Sequence, residues 1–244
     1  MKRATLGWAL ALVAGALSTS CTMGPAGTDV VAVKDSGNPP HRLNRGRVAH
    51  AYSLGRHEVT NREYAEFLNS VDPTGHNRLG LWNSAMARSG GIARPSNQPE
   101  GQRYRLVPGR ENDPVVLVNI FDAMRYCNWL HNAKFAQGTE IGAYNLDGQA
   151  IPRNRGSVVR QPTAKVFLPT ENEWFKAAYF DPAREGGYWR YLVRSDELAA
   201  GSPPGGENSA NTAGGAGRLV PVGSYSGAQS AYGVQDLAGN VAEW

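Results

Sequence analysis

The chain has 244 residues, a formal net charge of +4, 41% hydrophobic residues, six Trp and ten Tyr. That length allows a buried core, and the aromatic content excludes a disordered chain. Of the 25 basic residues 20 are Arg, spread without a run that would track a phosphate backbone, which excludes a nucleic-acid partner. With 29 Gly, 15 Pro and no long helix-period pattern, the composition predicts a loop-rich, mixed α/β fold of short elements.

Lys2 and Arg3 precede an apolar run from Leu6 to Leu17, too short to cross a bilayer as a helix, and small residues follow at Ser18, Thr19 and Ser20. This pattern predicts a signal peptide over residues 1–20 and export to the periplasm or cell envelope. Cys21 stands where a bacterial lipoprotein carries its lipidated cysteine, although Leu17 lies one position farther upstream than that motif prefers. Lipidation of Cys21 and cleavage by ordinary signal peptidase both remain open, and a lipid anchor would be the link to a membrane. Residues 21–47, with Gly24, Pro25, Gly37, Pro39 and Pro40, read as an exposed tether to a domain over 48–244. The other cysteine is Cys127, so with Cys21 lipidated or lost no intrachain disulfide forms, and packing or a bound metal must stabilise the domain.

Three short helices are predicted from their caps. In "EVTNREYAEFLNSV" Thr60 and Glu63 form a capping box, and Tyr64, Phe67, Leu68 and Val71 follow on one face. In "PVVLVNIFDAMRYCNWLHN" a β-rich run, Val115 to Val118, leads to Asn119 as N-cap with Asp122 three residues on. Ala123, Met124, Cys127, Leu130 and His131 then share a stripe, so Cys127 reads as a small core hydrophobe rather than a thiolate nucleophile. In "FLPTENEWFKAAYFDP" Thr170 and Glu173 form a second Thr box, and Pro182 stops the helix. Between the first two helices a long stretch, Pro73 to Pro114, holds the predicted strand "QRYRLV" and reads as a surface elaboration or a binding loop. Farther on, a short strand is predicted near Leu219 to Val222 in an otherwise Gly- and Asn-rich region.

Much familiar chemistry is missing. The histidines His41, His50, His57, His76 and His131 show no HxH or HExxH pairing, and there is no phosphate cradle, GxSxG elbow or CxxC. One stretch has ligand character. In "DLAGNVAE" Asp236 and Glu243 flank a turn at Gly239 and Asn240 that can aim carbonyls between two carboxylates, as calcium requires; an ordinary turn uses the same residue types.

"HEVTNREYAEFLNSV", "PVVLVNIFDAMRYCNWL", "FLPTENEWFKAAYFDP" and "YGVQDLAGNVAEW" occur in the order and roughly the spacing of the sulfatase-modifying-factor family, whose best-known member is the formylglycine-generating enzyme. The resemblance covers Val48 to Trp244. It implies a C-type-lectin-like α/β fold, often with bound calcium, and, for enzymatic members, copper-dependent oxidation by dioxygen of a cysteine in a sulfatase-type protein or peptide to formylglycine. By match to the family's "GNVWEW" loop, Asp236 and Glu243 would be side-chain ligands of calcium, and Gly239 and Val241 carbonyl ligands. A second calcium site would begin at Asn211 and the Thr212 carbonyl, but "GGAGR" lacks the carboxylate that the family's next loop supplies. Ala242 replaces the Trp usual at that position.

The resemblance places the two copper-binding cysteines downstream of this loop, in a segment the chain lacks. Neither Cys21 nor Cys127 matches them, so no catalytic residue is assigned, copper is expected only with a downstream segment, and the domain is expected to be incomplete at its C-terminus. Three functions follow as alternatives: a formylglycine-generating-type oxidase, a non-catalytic calcium-stabilised lectin-like module of the envelope binding through the Pro73 to Pro114 stretch, and an iron-dependent sulfoxide-synthase-like enzyme. The last usually brings an N-terminal helical domain with His ligands, for which this chain has no room.

Overall fold

Each predicted helix begins at its predicted cap. In the computed structural model, which describes residues 8–9, 13–14, 29–149, 158–201, 204, 208–212 and 216–244, α1 spans Asn61–Val71, α2 Ile120–His131 and α3 Glu171–Tyr179. Thr60, Asn119 and Thr170 each close a reciprocal capping box with Glu63, Asp122 and Glu173, which satisfies two helix-end N–H groups at every start. The strands are short: β1 Trp8–Ala9, β2 Val13–Ala14, β3 Val30–Val33, β4 Tyr52–Gly55, β5 Ile92–Ala93, β6 Arg105–Leu106, β7 Val166–Phe167 and β8 Ala242–Glu243. The fold is therefore mixed α/β with small sheets, as the composition predicts.

The chain divides into two compact units. The first comprises Met1–Leu10, Val59–Leu168 and Val241–Trp244. It holds α1, α2, the antiparallel pair β5 and β6, β7 against α2, and the parallel pair β1 and β8. Its core is aromatic: Tyr64, Phe67, Tyr126 and Trp129 are all at most 1% exposed, with ring centroids 5.3 to 6.0 Å apart. Tilted and edge-on pairs of this kind add to the apolar area they bury. Helix α2 is buried on almost every side, including Arg125, whose guanidinium meets Glu140 at 2.7 Å and the Gln149 carbonyl at 3.0 Å.

Burial also acts on the α2 cap, where it pushes the Asp122 carboxyl up to about 6 against the pull of the Asn119 N–H and Arg125. A carboxyl whose folded value is raised supports the fold at acid pH and loses that contribution as pH rises from about 4 through 6. Wild type is thus expected to lose up to about 3 kcal/mol between pH 4 and 7 relative to Asp122→Asn, read by urea unfolding at both pH values. Parallel pH profiles for the two proteins would refute this.

The second unit comprises Ala11–Glu58 and Pro169–Asn240. Strand β4 lies between β3 and β2, antiparallel to both, with Val33 opposite Tyr52 and Val13 opposite Leu54. A cluster of Val193, Val220, Tyr225 and Ala228 forms a separate core. Residues 1–20, Cys21 and the start of the tether lie outside the described residues, apart from the backbone of β1 and β2. The rest of the tether reading needs correction. Val30, Val31 and Val33 are buried in β3, and Asn38 is 5% exposed with its amide donating to the Gly46 carbonyl at 2.8 Å. A short run of buried valines, which a reading of Gly and Pro content overlooks, places this stretch in a sheet.

The β-rich run and the two predicted strands also depart from regular strands. Val115 to Val118 form none, although Val115, Val116 and Val118 are buried: Val115 N–H bonds the Val59 carbonyl at 2.8 Å, and Leu117 turns the chain away with φ +65°. Leu219 to Val222 likewise stay irregular because Val220 N–H is taken by a side chain, Asn240 Oδ1, at 3.1 Å. Only the Arg105–Leu106 part of "QRYRLV" pairs, as β6.

The Pro73 to Pro114 stretch is pinned to α1. Asn61 Nδ2 donates to the carbonyls of Gly90 at 2.6 Å and Arg110 at 2.9 Å, closing a π-helical turn over Met86–Gly90. Gly91 follows with φ +114°, where an added Cβ would meet Asn61 Nδ2 at 2.5 Å, so only glycine fits.

Candidate functional site

The segment Ser230 to Asn240 runs back over residues 29–58 of its own unit. Gln235 N–H donates to the Arg56 carbonyl at 2.8 Å, its side chain meets His57 Nε2 at 2.9 Å, and Arg56 reaches Asp29 at 3.0 Å. Asp236 then turns inward with φ +57°, a conformation that Asp and Asn tolerate better than most residues. Its carboxylate is 6% exposed and accepts the Gly223 N–H at 2.5 Å.

At the far end of the turn the backbone of Gly239 bridges that of Asn211 in parallel, and Asn240 N–H donates to the Asn211 carbonyl at 3.0 Å. A Cβ on Gly239 would sit 2.4 Å from the Asn211 oxygen, so the close approach requires glycine. Asn240 is the hub. Its Oδ1 accepts from Val220 N–H and from Asn211 Nδ2 at 3.0 Å, while its Nδ2 donates to the Val220 carbonyl at 3.2 Å and to Glu58 Oε1 at 3.3 Å. Asn211 Nδ2 also reaches the Arg218 carbonyl at 2.9 Å, and its Oδ1 accepts Ala216 N–H at 3.0 Å.

Of the six residues expected as calcium ligands, Asp236, Gly239, Asn211 and Thr212 belong to the second unit, and Asn211 and Gly239 are in direct contact there. Val241 and Glu243 belong to the first, where Glu243 lies in β8 and the neighbouring Trp244 Nε1 donates to the Val118 carbonyl at 2.9 Å. Among the described residues no group of three or more His, Cys, Asp or Glu side chains is placed to hold a metal ion.

Sequence reasoning missed Glu58. It is 3% exposed and its carboxyl hydrogen-bonds that of Asp236. Burial raises the Asp236 pKa, opposed by the Gly223 N–H, the His57 imidazole and the bond to Glu58. Glu58 sits in "HEVT" just before the α1 cap, and nothing local marks it as the partner of a residue so far along the chain.

Each histidine has a partner of its own: His41 accepts from Leu43 N–H, His50 meets Glu173 at 3.0 Å, His57 Gln235, His76 Thr74, and His131 accepts from Lys165 N–H. Cys127 is fully buried and burial pushes its thiol pKa far up, so it packs as a core residue and is no nucleophile. Among the described residues no helix is long and apolar enough to cross a membrane.

Residues 17–244 match the Sulfatase-modifying factor enzyme 1-like domain. The chain belongs to this family. Three curated relatives are named hercynine oxygenase. That of Mycolicibacterium smegmatis is 30% identical over 237 residues, 90% of this chain and 44% of that protein. That of Mycobacterium tuberculosis is 28% identical over 223 residues, 86% of this chain and 42% of the relative. The Mycolicibacterium thermoresistibile protein is 28% identical over 240 residues, 91% of this chain and 44% of the relative. The chain thus spans less than half the length of these relatives. No solved structure matches it significantly. The match to the sulfatase-modifying-factor domain takes in all three capped helices and the Asp236 to Asn240 turn.

Proposed function

We propose that this chain is the sulfatase-modifying-factor-type part of an exported oxidase that acts on the cysteine thiol of a sulfatase-type peptide. The observation that carries the oxidative reading is the family match over residues 17–244 together with relatives named as oxygenases. On this reading the fold is of the C-type-lectin-like kind, the matched residues shape and stabilise the substrate-binding surface, and a signal peptide over 1–20 directs export, with Cys21 lipidated or removed.

Calcium fits the donor set. In the second unit Asp236 and Asn211 offer side-chain oxygens and Gly239 and Thr212 carbonyls, and two hydrogen-bonded, buried carboxyls such as Asp236 and Glu58 repel when ionised unless a proton or cation intervenes. When bound, the ion would cross-link loops and take no part in oxidation. Chelation of the native protein is expected to lower its melting temperature by roughly 5–10 °C from a state with calcium about a hundredfold above Kd. Asp236→Ala should abolish most of that dependence, and a melting temperature indifferent to chelator defeats the calcium reading.

Copper does not fit the residues of this chain. A copper(I) site needs soft thiolates, Cys127 is sealed in α2, and Cys21 stands alone beside it in composition. No step is derived through copper. The sealed Cys127 favours a second reading, the calcium-stabilised binding module that uses the Pro73 to Pro114 stretch.

The deciding experiment pairs the intact mass of the native protein with oxygen consumption on a cysteine peptide, with hercynine as comparison. Dioxygen accepts more electrons than a thiol-to-aldehyde step releases, so a small thiol is supplied as co-reductant. Aldehyde formation on the peptide supports the proposal. Turnover of hercynine alone moves the substrate to that of the relatives, and peptide binding without turnover replaces the oxidase with the binding module.

A further inference from the structure

The second unit contains a cleft of about 530 Å³. It lies between the Pro40–Leu43 loop, one face of α3 and the loop from Arg184 to Asp196. Its platform is aromatic. Phe175 and Tyr179 stack at 4.6 Å, and His41 lies 5.3 Å from both Phe175 and Tyr188. Burial, and then the Arg42 charge, hold the His41 imidazole below its ordinary pKa, so at neutral pH it adds a neutral ring.

The platform is built in advance. Tyr188 OH donates to the Pro39 carbonyl at 2.8 Å and accepts from Asn38 Nδ2 at 2.8 Å. Gly46 packs so tightly that a Cβ would meet Phe175 at 2.8 Å and the Tyr188 hydroxyl at 2.9 Å. A ligand entering such a site pays little ordering entropy.

The charge is one-sided. Arg184 lies over the Trp189 ring at 3.9 Å and pairs with Asp196 at 2.6 Å, which engages the one acidic side chain lining the cleft. Arg42 and Arg190, both exposed, make no ion pair within 4.0 Å among the described residues. Guanidinium groups with free donor edges over an aromatic floor match a carboxylate on a flat apolar body, and they repel a cation. The volume suits a small molecule.

We propose that this cleft binds small aromatic carboxylates, the ring on the Phe175, Tyr179 and Tyr188 surface and the carboxylate on Arg42 and Arg190. The proposal does not rest on the oxidase reading, because it is argued from the charges and rings of the cleft alone.

The test is calorimetric titration and ligand-observed NMR of the purified protein with phenylacetate, benzylamine and acetate. Saturable binding of phenylacetate is expected, with benzylamine and acetate each weaker by about tenfold or more, the worth of a charged hydrogen bond or of the ring contact. The exposed double variant Arg42→Gln/Arg190→Gln should weaken phenylacetate by about tenfold at unchanged melting temperature. Leu43→Glu, 63% exposed at the rim, should weaken it as well by adding a like charge. Absence of saturable phenylacetate binding, equal binding of benzylamine, or equal affinity in the double variant overturns the proposal.

Discussion

Trp129→Ala is expected to cost about 3–5 kcal/mol, a large share of the stability of an ordinary domain. The indole is 1% exposed and packs against Phe67 at 5.4 Å and Tyr126 at 5.7 Å. Its removal leaves a cavity that α1 and α2 cannot collapse into, because both helices are anchored at capped ends. The same substitution strips the Nε1 bond to Ser70 Oγ at 3.1 Å and the Lys134 ammonium of its aromatic face. Urea unfolding followed by far-ultraviolet circular dichroism measures the loss. Trp129→Phe should recover about half of it, since the ring contacts survive while the hydrogen bond does not. A loss below about 1 kcal/mol for the alanine variant would mean that this cluster is not the core of the unit.

Asn240→Ala is expected to lower stability by about 2–4 kcal/mol through two separable effects. The amide bonds two chain segments and a buried acid at once, so truncation orphans Val220 N–H and removes one bond each from Asn211 Nδ2 and Glu58 Oε1. The backbone adds strain, because position 240 has φ +59°, where alanine is disfavoured by about 1–2 kcal/mol and glycine is not. Asn240→Gly should therefore be milder than Asn240→Ala by about 1 kcal/mol yet remain well below wild type in a thermal melt. Full recovery with glycine would show that strain alone matters and that the amide network contributes nothing.

The helix starts were legible because a cap is local: Thr60 with Glu63 and Thr170 with Glu173 act over one turn, whatever the chain does elsewhere. The membership in the sulfatase-modifying-factor family was legible for a related reason, since its motifs are contiguous stretches. Strand readings fared worse. The valines of Val115 to Val118 have β propensity, but a strand exists only where a neighbour offers a free edge, and here Leu117 at φ +65° breaks the register. In the converse case, Val30 to Val33 lie in a Pro- and Gly-bearing stretch and become a strand because β4 lies beside them.

The sites divide along the same line. Asp236 and Gly239 could be singled out from a short turn motif, whereas the role of Asn240 depends on Asn211, Val220 and Glu58, residues 20 to 182 positions away. Glu58 and the aromatic cleft carry no local mark at all, for the cleft joins residues near 40 with others near 190. Residue type, spacing and local hydrogen bonding decided the helices, the loop-rich α/β class and the family, because those interactions close within a few residues. Which carboxyl meets which, and which rings and guanidiniums share a surface, was decided only by the return of distant segments, where packing and loop closure select partners that no short window contains.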